Sequence, residues 1–393
     1  MTIETILVLN AGSSSIKFQL FSGETSLLSG QIDGLGAGAW VKGEAAGGNV
    51  LMDRALSAPE SESHSSALQV ILALLKEYDP ELEVDAIGHR VVHGAKKFSK
   101  PVLVSEQVER ELEAISSLAP LHNPHNLAGI KGAKTAFAGK PNVACFDTAF
   151  HRTQEFKNEA YALPLSYYEQ GVLRYGFHGQ SFQYIAQELH SVAPEVAHGR
   201  VIVAHLGNGA SLCAIKGGKS VTTTMGFTPA DGLAMGTRCG LIDPGVVLYL
   251  QDVEGMTTQE VSNLLLKESG MKGLSGLSQD MRDLENSEDP RAQRALEYYD
   301  NRVKRELGAL VAVMGGIDAL VFTGGIGENS TRTRAGVCEG LEFLGIEIDC
   351  DANNKRAKEA ITISSGQSKV QVMAIPTNEE VMIARQTRSV CSQ

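Results

Sequence analysis

Three loops rich in glycine and hydroxyl side chains place the strongest constraint on how this sequence can fold. Each loop directly follows a short apolar run that is typical of a buried strand, and glycine allows the backbone to approach a ligand closely. Consecutive backbone N–H groups in such a turn form an anion-binding site. Because these loops are spread along the chain, they predict a phosphate-bearing nucleotide held by two halves of the molecule. The loops are Asn10–Lys17, His205–Ser211 and Thr323–Ser330.

Length and composition predict a globular protein with about two or three domains. The chain has 393 residues, of which 43% are hydrophobic and 21% are charged. Its formal net charge of -11 opposes binding to nucleic acid or to an anionic membrane. The cysteines are scattered without metal-ligand spacing, and no apolar run approaches the roughly 20 residues of a membrane helix. Since no signal-peptide pattern opens the sequence either, we expect a cytoplasmic protein with reduced thiols.

The order of strand and helix patterns predicts an α/β fold with an internal structural duplication. A strand entering a glycine loop, followed by alternating helices and strands, occurs in each half of the chain. The last predicted helix, Glu379–Arg388, is expected to return to the first half. We therefore expect an N-terminal domain of residues 1–150 plus 379–393 and a C-terminal domain of residues 151–378. Helical spacing also predicts a helix over Asp351–Ile361.

Two familiar motifs are excluded by the residues at their key positions. A Walker-type phosphate loop needs G-x-x-x-x-G-K-[ST], but Cys213 stands where the first glycine should precede Gly218-Lys219-Ser220. His89 and His93 have the spacing of a zinc-protease helix, yet Arg90 occupies the place of the catalytic glutamate. The β-branched residues of this segment also favour a strand over a helix.

Charged side chains at strand ends and in glycine-flanked turns are candidates for phosphoryl-transfer chemistry, which depends on positioning and charge neutralisation. Lys17 is either a phosphate clamp or a solvated residue of a hairpin turn. Arg90, inside an apolar strand, requires an anion that is either a substrate or a structural carboxylate. Asp147 follows a predicted strand and is either a ligand-site residue or a helix N-cap. His178 directly precedes a glycine, Arg238 stands between Gly236 and Gly240, and an arginine fork suits a phosphate or a carboxylate.

Taken together, these segments resemble the acetate kinase family from the first strand to Glu380. The segments that carry the resemblance, in chain order, are Asn10–Lys17, Asp147–His151, Gly176–Ser181, His205–Ser211, Met225–Gly240 with Ile242–Gly245, Ser275–Arg282 and Thr323–Ser330. The resemblance implies two related α/β domains of the actin and sugar-kinase type, which is ribonuclease H-like, flanking a nucleotide cleft. It also implies a homodimer with its interface in the C-terminal domain. The implied reaction is reversible transfer of a phosphoryl group from ATP to acetate, with Mg²⁺ or, in its place, Mn²⁺.

The resemblance further implies roles for individual residues. The implied metal-binding residues are Asn10 and Glu379. The implied catalytic residues are Asp147, His178 and Arg238. The residues implied around the carboxylate and methyl group of the substrate are Arg90, Val92, Leu121, Phe177 and Pro229. The residues implied for ATP and ADP are Lys17, His205, Leu206, Gly207, Asn208, Gly209, Asp280, Met281, Arg282, Gly325, Ile326, Gly327, Glu328 and Asn329.

The sequence departs from the family pattern beside two of these residues. Gln180 and Phe182 replace a small hydroxyl residue and a histidine after His178. Cys239 and Leu241 replace a serine and an aspartate beside Arg238. These differences concern the geometry of the pocket rather than the class of reaction, because they remove none of the implied catalytic groups.

Two alternatives stay open at the level of the sequence. The first is a kinase for propionate or a broader range of short-chain acids, since one methylene in an apolar pocket is worth only about 1–3 kcal/mol. The second is a non-catalytic, ATP-binding conformational switch on the same fold. Arg90, Arg238, His178 and Asp147 argue against the switch, because nucleotide binding alone does not require them.

Overall fold

The computed structural model describes residues 3–36, 38–120 and 122–393. Leu121, which the sequence places beside the substrate methyl group, lies outside these residues. The strands are β1 Thr5–Ala11, β2 Ser15–Ser22, β3 Thr25–Asp33, β4 Trp40–Ala45, β5 Val50–Ala55, β6 Ala86–Val91, β7 Val102–Leu103, β8 Asn142–Phe146, β9 Arg200–Leu206, β10 Ala210–Lys216, β11 Lys219–Thr223, β12 Ala319–Thr323, β13 Ile361–Thr362 and β14 Gln371–Ala374.

The helices alternate with these strands. They are α1 Ala58–Ser61, α2 His64–Tyr78, α3 Glu106–Ala114, α4 Asn123–Ala136, α5 Phe156–Glu159, α6 Leu165–Glu169, α7 Gly179–Val192, α8 Pro244–Asp252, α9 Thr258–Asn263, α10 Gly270–Ser275, α11 Met281–Glu285, α12 Pro290–Met314, α13 Gly324–Asn329, α14 Thr331–Cys338, α15 Cys350–Asn353 and α16 Glu379–Cys391. Short 3-10 turns cover Ser116–Leu118, Ala149–Thr153 and Glu342–Leu344, and a π turn covers Leu264–Glu268. Among the described residues, none of the helices combines the length and the apolar composition that a membrane span requires.

The chain divides into two compact units, the first formed by Met1–Phe150 with Asn378–Gln393 and the second by His151–Thr377. The first unit contains one sheet with the strand order β5-β4-β3-β2-β1-β6-β8-β7. The strands β1, β6 and β8 run parallel, and β2 to β5 extend the sheet as antiparallel hairpins. Helix α16 belongs to this unit although it is last in the sequence.

The two faces of the first sheet are covered by different helices. Side chains alternate between the faces of a strand. Leu7 of β1 and Ile87 of β6 belong to a buried apolar cluster with Leu68 and Leu74 of α2. On the opposite face, a Cβ atom on Gly88 would lie 2.4 Å from the Thr387 hydroxyl oxygen of α16. Glycine at this position therefore lets α16 pack closely against β6.

The second unit contains a sheet with the strand order β11-β10-β9-β12-β14-β13. The strands β9, β12 and β14 run parallel, whereas β10 and β11 continue from β9 as antiparallel hairpins. Residues 201–206 and 319–323 are buried throughout, as is typical of strands with both faces covered. Helix α12 contacts β9, β10 and β11.

The same strand arrangement occurs in both units. In the first, β3-β2-β1-β6-β8 combines two antiparallel pairs with two parallel pairs, and β11-β10-β9-β12-β14 repeats this order and these directions in the second. The predicted α/β fold with two related domains of the actin and sugar-kinase type is confirmed.

The helix predicted over Asp351–Ile361 is wrong. Only α15 forms there, and Ile361 begins a strand. The buried guanidinium of Arg334 explains the early end of the helix, because its Nη2 donates to the carbonyl oxygens of Asn353 (2.6 Å) and Lys355 (2.8 Å). Those carbonyl groups are the acceptors that a continuing helix would need.

Candidate functional site

In the first unit, one arginine lies on the face of the sheet that α16 covers. Arg90 of β6 is two residues beyond Gly88 and therefore shares its face. Asp147 directly follows β8, the parallel neighbour of β6, and its backbone N–H donates to the carbonyl oxygen of Val91 (3.0 Å). Glu379 is the first residue of α16. The fold thereby brings an arginine and two carboxylates together at one end of the parallel strands.

Arg90 and Asp147 form a bidentate ion pair. Arg90 Nε donates to Asp147 Oδ1 at 3.0 Å and Nη2 donates to Oδ2 at 2.8 Å. Nη2 also lies 3.4 Å from Glu379 Oε2. Asp147 is 2% exposed, whereas 22% of the Arg90 side chain is exposed. No hydrogen bond between described residues uses Arg90 Nη1. Arg90 therefore has the structural carboxylate partner that the sequence allowed, and one nitrogen of its guanidinium remains for a ligand.

Burial and charge act in opposite directions on this pair. Burial raises the pKa of Asp147, and the Arg90 guanidinium opposes that increase. Burial alone would lower the pKa of Arg90, but the carboxylates of Asp147 and Glu379 hold it above its ordinary value. Arg90 is therefore a permanent cation at the edge of a water-poor site.

A cavity of about 350 Å³ adjoins the ion pair. Its walls include Asn10 of β1, Lys17 of β2, Arg90, Glu379 and Glu380. Asn10 and Lys17 are direct partners in the β1–β2 hairpin. Lys17 therefore lies on the strand that follows the hairpin turn, which is one of the two alternatives that the sequence allowed. Burial and repulsion from Glu379 raise the pKa of Glu380.

The oxygen atoms around this cavity fit a magnesium ion. Mg²⁺ binds carboxylate and amide oxygens, keeps several water molecules, and is usually held by one or two carboxylates together with phosphate groups of a substrate. Asn10 and Glu379 provide an amide and a carboxylate on the same cavity. Among the residues described, no group of three or more His, Cys, Asp and Glu side chains is placed to hold a metal ion. These residues therefore do not form a metal site composed only of such side chains.

In the second unit, two of the glycine loops lie side by side because their strands are parallel neighbours. Thr323 at the end of β12 pairs with His205 of β9, and the following loops leave the sheet at the same edge. Gly324 has a φ of +76°, and a Cβ atom there would lie 2.7 Å from the carbonyl oxygen of Leu206. Only glycine allows α13 to start so close to the end of β9.

A cavity of about 760 Å³ opens beside these two loops. This volume lies within the range of about 300–1,000 Å³ that is typical of small-ligand sites. Eight of the residues predicted to bind nucleotide line it, namely Gly207, Asn208, Asp280, Met281, Arg282, Gly325, Ile326 and Asn329. The sequence therefore anticipates the loops that border one cavity.

Two histidine rings stack beside the β9–β10 turn. The ring centroids of His178 and His205 are 4.3 Å apart, with an interplanar angle of 25°. His178 Nδ1 lies 2.8 Å from the Ser211 hydroxyl, and His205 Nδ1 lies 2.8 Å from the Ser181 hydroxyl. A Cβ atom on Gly209 would be only 3.0 Å from His178 Nε2. The serine contact therefore orients His178 with Nε2 toward the glycine turn.

Arg238 reaches the same turn. Its Nη1 donates to the Pro229 carbonyl oxygen at 2.7 Å, and a Cβ atom on Gly209 would lie 3.6 Å from its Nη2. Burial lowers the pKa of Arg238, and no carboxylate in the described part of the chain forms an ion pair with it. A cation that is partly withdrawn from water and has no counter-charge is unfavourable, so this guanidinium suits an anionic ligand.

A hydrogen-bond network links the α13 loop to the histidine pair. Glu328 Oε1 accepts hydrogen bonds from the backbone N–H groups of Gly324 (2.8 Å) and Thr377 (3.1 Å). The Thr377 hydroxyl in turn donates to the Ser181 hydroxyl at 2.8 Å, and Ser181 contacts His205. Burial raises the pKa of Glu328. Glu328 thus positions its own loop and the last residue of the second unit.

The other predicted site residues occupy different places. The wall of the 760 Å³ cavity does not include His205, Leu206, Gly209, Gly327 or Glu328, which lie in or beneath the two loops. The residues predicted to surround the substrate methyl group are divided between the units, with Val92 in the first and with Phe177 and Pro229 in the second.

Sequence reasoning missed several residues of the nucleotide-sized cavity. They are Met271, Glu285, Asn286, Tyr299 and Arg356. Glu285 and Asn286 had a detectable signal, because they follow Met281 and Arg282 by four positions, the spacing of neighbours on one helix face. Tyr299 and Arg356 carry no such signal, since α12 and the segment after α15 reach the cavity only through tertiary folding.

Comparisons with known proteins agree along the whole chain. A model of the acetokinase family matches residues 5–385. An acetate kinase from Methylocella silvestris is 50% identical over 99% of this chain and 98% of its own length, and an acetate kinase from Halothermothrix orenii is 45% identical over 98% and 99%. The crystal structure of Porphyromonas gingivalis acetate kinase superposes with a TM-score of 0.92 at 40% identity, covering 99% of this chain and 100% of that one.

A propionate kinase from Francisella tularensis superposes equally well, with a TM-score of 0.92 at 38% identity and the same coverage. The strand order in both units, the two glycine loops at one sheet edge and these similarities over nearly the whole length lead to one conclusion: the chain belongs to the acetokinase family.

Proposed function

We propose that this chain is an acetate kinase, which transfers the γ-phosphoryl group of ATP to acetate and reversibly gives acetyl phosphate and ADP. The observation that carries this proposal is the pair formed by His178 and Arg238 at the Gly209 turn. A half-buried guanidinium without a carboxylate partner is unfavourable in a protein that only binds adenosine. It is useful where negative charge develops during phosphoryl transfer.

The proposal assigns the nucleotide to the second unit. The volume of the 760 Å³ cavity and the two glycine loops beside it support this assignment. His178 and Arg238 would then interact with the transferring phosphoryl group. His205, Leu206, Gly209, Gly327 and Glu328 would shape the loops rather than the wall of the cavity.

The first unit would hold the acid and the metal ion. Arg90 Nη1 would bind the carboxylate of acetate, while Asp147 fixes the guanidinium by accepting hydrogen bonds from Nε and Nη2. Asn10 and Glu379 would bind Mg²⁺, which neutralises phosphate charge when it is bound. Lys17, on the same cavity, would add a further positive charge. Mn²⁺ would substitute for Mg²⁺, because it accepts the same oxygen ligands.

No general base is needed for the attack. A carboxylic acid with a pKa near that of a glutamate, about 4.3, is ionised at neutral pH. The barrier arises mainly from bringing one anion against another. Arg90, Arg238 and His178 would lower that repulsion without taking a proton, and Asp147 would act as a positioning residue for Arg90. Transfer would be direct, so that no residue of the chain carries the phosphoryl group.

A hydroxylamine trap for acyl phosphates tests the proposed reaction. With ATP, Mg²⁺ and acetate, we expect acyl hydroxamate that depends on every component. Propionate and butyrate in parallel reactions rank the acids by kcat/KM. Since each additional methylene is worth about 1–3 kcal/mol in an apolar pocket, we expect acetate to exceed propionate by roughly 10-fold or more.

The matched control is the Arg238→Ala protein, in which nucleotide binding should be retained while hydroxamate is lost. Absence of product from all three acids, with ATP binding intact by calorimetry, would contradict the kinase proposal and favour the nucleotide-dependent switch. A higher kcat/KM for propionate would instead identify a propionate kinase, the alternative that the similarity to the Francisella enzyme favours.

We also propose that the protein is a homodimer that uses α8. This helix contains Val246, Val247, Leu248, Tyr249 and Leu250, yet none of its residues is buried. Leu248 is 58% exposed and Tyr249 is 50% exposed, and Val253 just beyond the helix is 67% exposed. An apolar patch of this kind marks an association surface, and the family resemblance points to a second copy of the chain as its occupant.

Replacing Leu248 with aspartate should convert the dimer to a monomer, because the charge would have to be buried in the interface. Sedimentation at micromolar concentration measures the change. The matched control is Phe343→Asp, because Phe343 is 80% exposed but belongs to a different element, the turn after α14. The Phe343 variant should remain dimeric. A wild-type monomer, or a Leu248 variant that is still dimeric, would refute this assignment.

A further inference from the structure

His178 has an unfavourable backbone conformation. Its φ is +58° and its ψ is +24°, and among described residues other than glycine only Ala95 also has a positive φ. The left-handed region costs an ordinary L-residue roughly 1–2 kcal/mol. Such a conformation persists only where the surrounding contacts enforce it. The contacts around His178 therefore determine where its ring points.

The buried ring of His151 makes one of these contacts. His151 Nε2 lies 2.9 Å from the carbonyl oxygen of Phe177, which belongs to the peptide that joins Phe177 to His178. The ring also packs against Gly176, where an added Cβ atom would lie 2.6 Å from His151 Cδ2. Gly176 has a φ of +73°. His151 thus holds the turn on the N-terminal side of His178, and it is fully buried.

The environment of His151 selects one protonation state. A carbonyl oxygen only accepts hydrogen bonds, so the proton lies on Nε2. Nδ1 then accepts from the Ser220 hydroxyl at 2.9 Å, and Ser220 accepts in turn from Gln154 Nε2 at 3.1 Å. Burial lowers the pKa of His151 to about 4, so the ring is neutral at physiological pH. Its donor is therefore permanently directed at the Phe177 carbonyl.

We propose that His151 is a positioning residue for His178. By holding the Phe177–His178 peptide, its Nε2–H keeps His178 in the left-handed conformation in which Nδ1 meets Ser211 and Nε2 faces the Gly209 turn. His151 itself does not touch the reactants. This inference rests on the proposed role of His178 at the transferring phosphoryl group.

Two substitutions of similar polarity separate the positioning role from simple packing. The Nε2 amide of His151→Gln extends as far as the imidazole Nε2 and can still donate to Phe177. The amide of His151→Asn ends near the position of Nδ1 and reaches only Ser220. We expect His151→Asn to lower kcat by roughly 10–100-fold, since a displacement of about 1 Å at a reacting group costs up to 10²-fold. KM for ATP should be unchanged, and His151→Gln should restore most of kcat.

Thr153→Val is the matched control for loosening of the same segment. Thr153 donates to the Ser220 carbonyl oxygen at 2.7 Å, so this variant removes one nearby hydrogen bond without affecting Phe177. Its kcat should remain within about twofold of the wild type. All rates are expressed per folded molecule, as measured by circular dichroism, so that a loss of stability is not mistaken for a loss of catalysis.

The decisive measurement is kcat of His151→Asn in a His178→Ala background. If His151 acts through His178, the second substitution should have no further effect, which is the non-additivity expected of residues that act as a unit. If the two substitutions lowered kcat by the product of their separate effects, or if the Asn and Gln variants were equally active, the inference would be overturned while the function of His178 stayed intact. Full activity of His178→Ala alone would instead refute the proposed site.

Discussion

Replacing Arg238 with alanine should lower kcat by about 10²–10³-fold, the range for losing one preorganised donor to a developing charge. The Nη1 of Arg238 is held by the Pro229 carbonyl oxygen, and its Nη2 faces the Gly209 turn. The guanidinium is therefore already in place before any anion arrives. Steady-state kinetics should show KM for ATP nearly unchanged, because the cavity that would hold adenosine does not include Arg238.

Two further variants make this result specific. Arg238→Lys keeps the positive charge but loses the planar fork, so we expect it to restore only part of kcat. Arg200→Ala removes an arginine at the opposite end of β9, where it pairs with Asp318 at 2.6 Å, and should leave kcat unaltered. Near-normal turnover by Arg238→Ala would exclude this residue from stabilising the transferring group.

Replacing Arg90 with alanine should raise KM for acetate more than any other kinetic constant. The same variant leaves Asp147 buried and unpaired, which should destabilise the fold by about 3–5 kcal/mol. Titration of acetate at saturating ATP measures the first effect, and urea unfolding measures the second. Arg385→Ala is the control, because it breaks a more exposed ion pair of the same unit, with Glu24, which is worth at most about 1 kcal/mol.

The destabilisation should depend on pH. Burial already raises the pKa of Asp147, and without Arg90 the charge that opposes this increase is lost. A carboxyl group whose pKa is higher in the folded state contributes stability below its unfolded pKa of about 3.9, and this stability is lost as pH rises toward the folded value. Arg90→Ala should therefore unfold at a higher temperature at about pH 5 than at about pH 8.

A second substitution separates the structural effect from the effect on the substrate. In the Arg90→Ala, Asp147→Asn double variant the buried carboxylate is neutralised, so stability and its pH dependence should recover toward the wild type. KM for acetate should stay high, because Arg90 is still absent. If the double variant also regained normal acetate KM, or if Arg90→Ala changed only KM for ATP, the proposed carboxylate contact would be incorrect.

Local sequence was sufficient to anticipate the strands that lead into the glycine loops. The apolar runs before each glycine loop became β1, β9 and β12, and the repeated strand-loop-helix pattern became the shared strand order of the two units. These features are local, because strand propensity and glycine turns are determined by a few neighbouring residues. The resemblance to the acetate kinase family, which extends over nearly the whole sequence, predicted the fold class.

Contacts between distant segments could not be predicted in the same way. Nothing near Ser181 in the sequence indicates that its hydroxyl lies between Thr377 and His205. Likewise, the helix expected over residues 351–361 has adequate local spacing, but buried Arg334 takes its carbonyl oxygens. Hydrogen bonds to a distant side chain override local propensity, and a single sequence carries no record of them.

The discontinuity of the first unit has a consequence for biosynthesis. Its sheet is complete once β8 has been made, but α16, which packs on β6 at Gly88, follows only after residues 151–377. At a translation rate of about 5–20 residues per second, the ribosome needs on the order of tens of seconds to reach α16. During that interval the face around Val8 and Gly88 is exposed. Nascent chains of this protein therefore offer chaperones an apolar surface until α16 has been made.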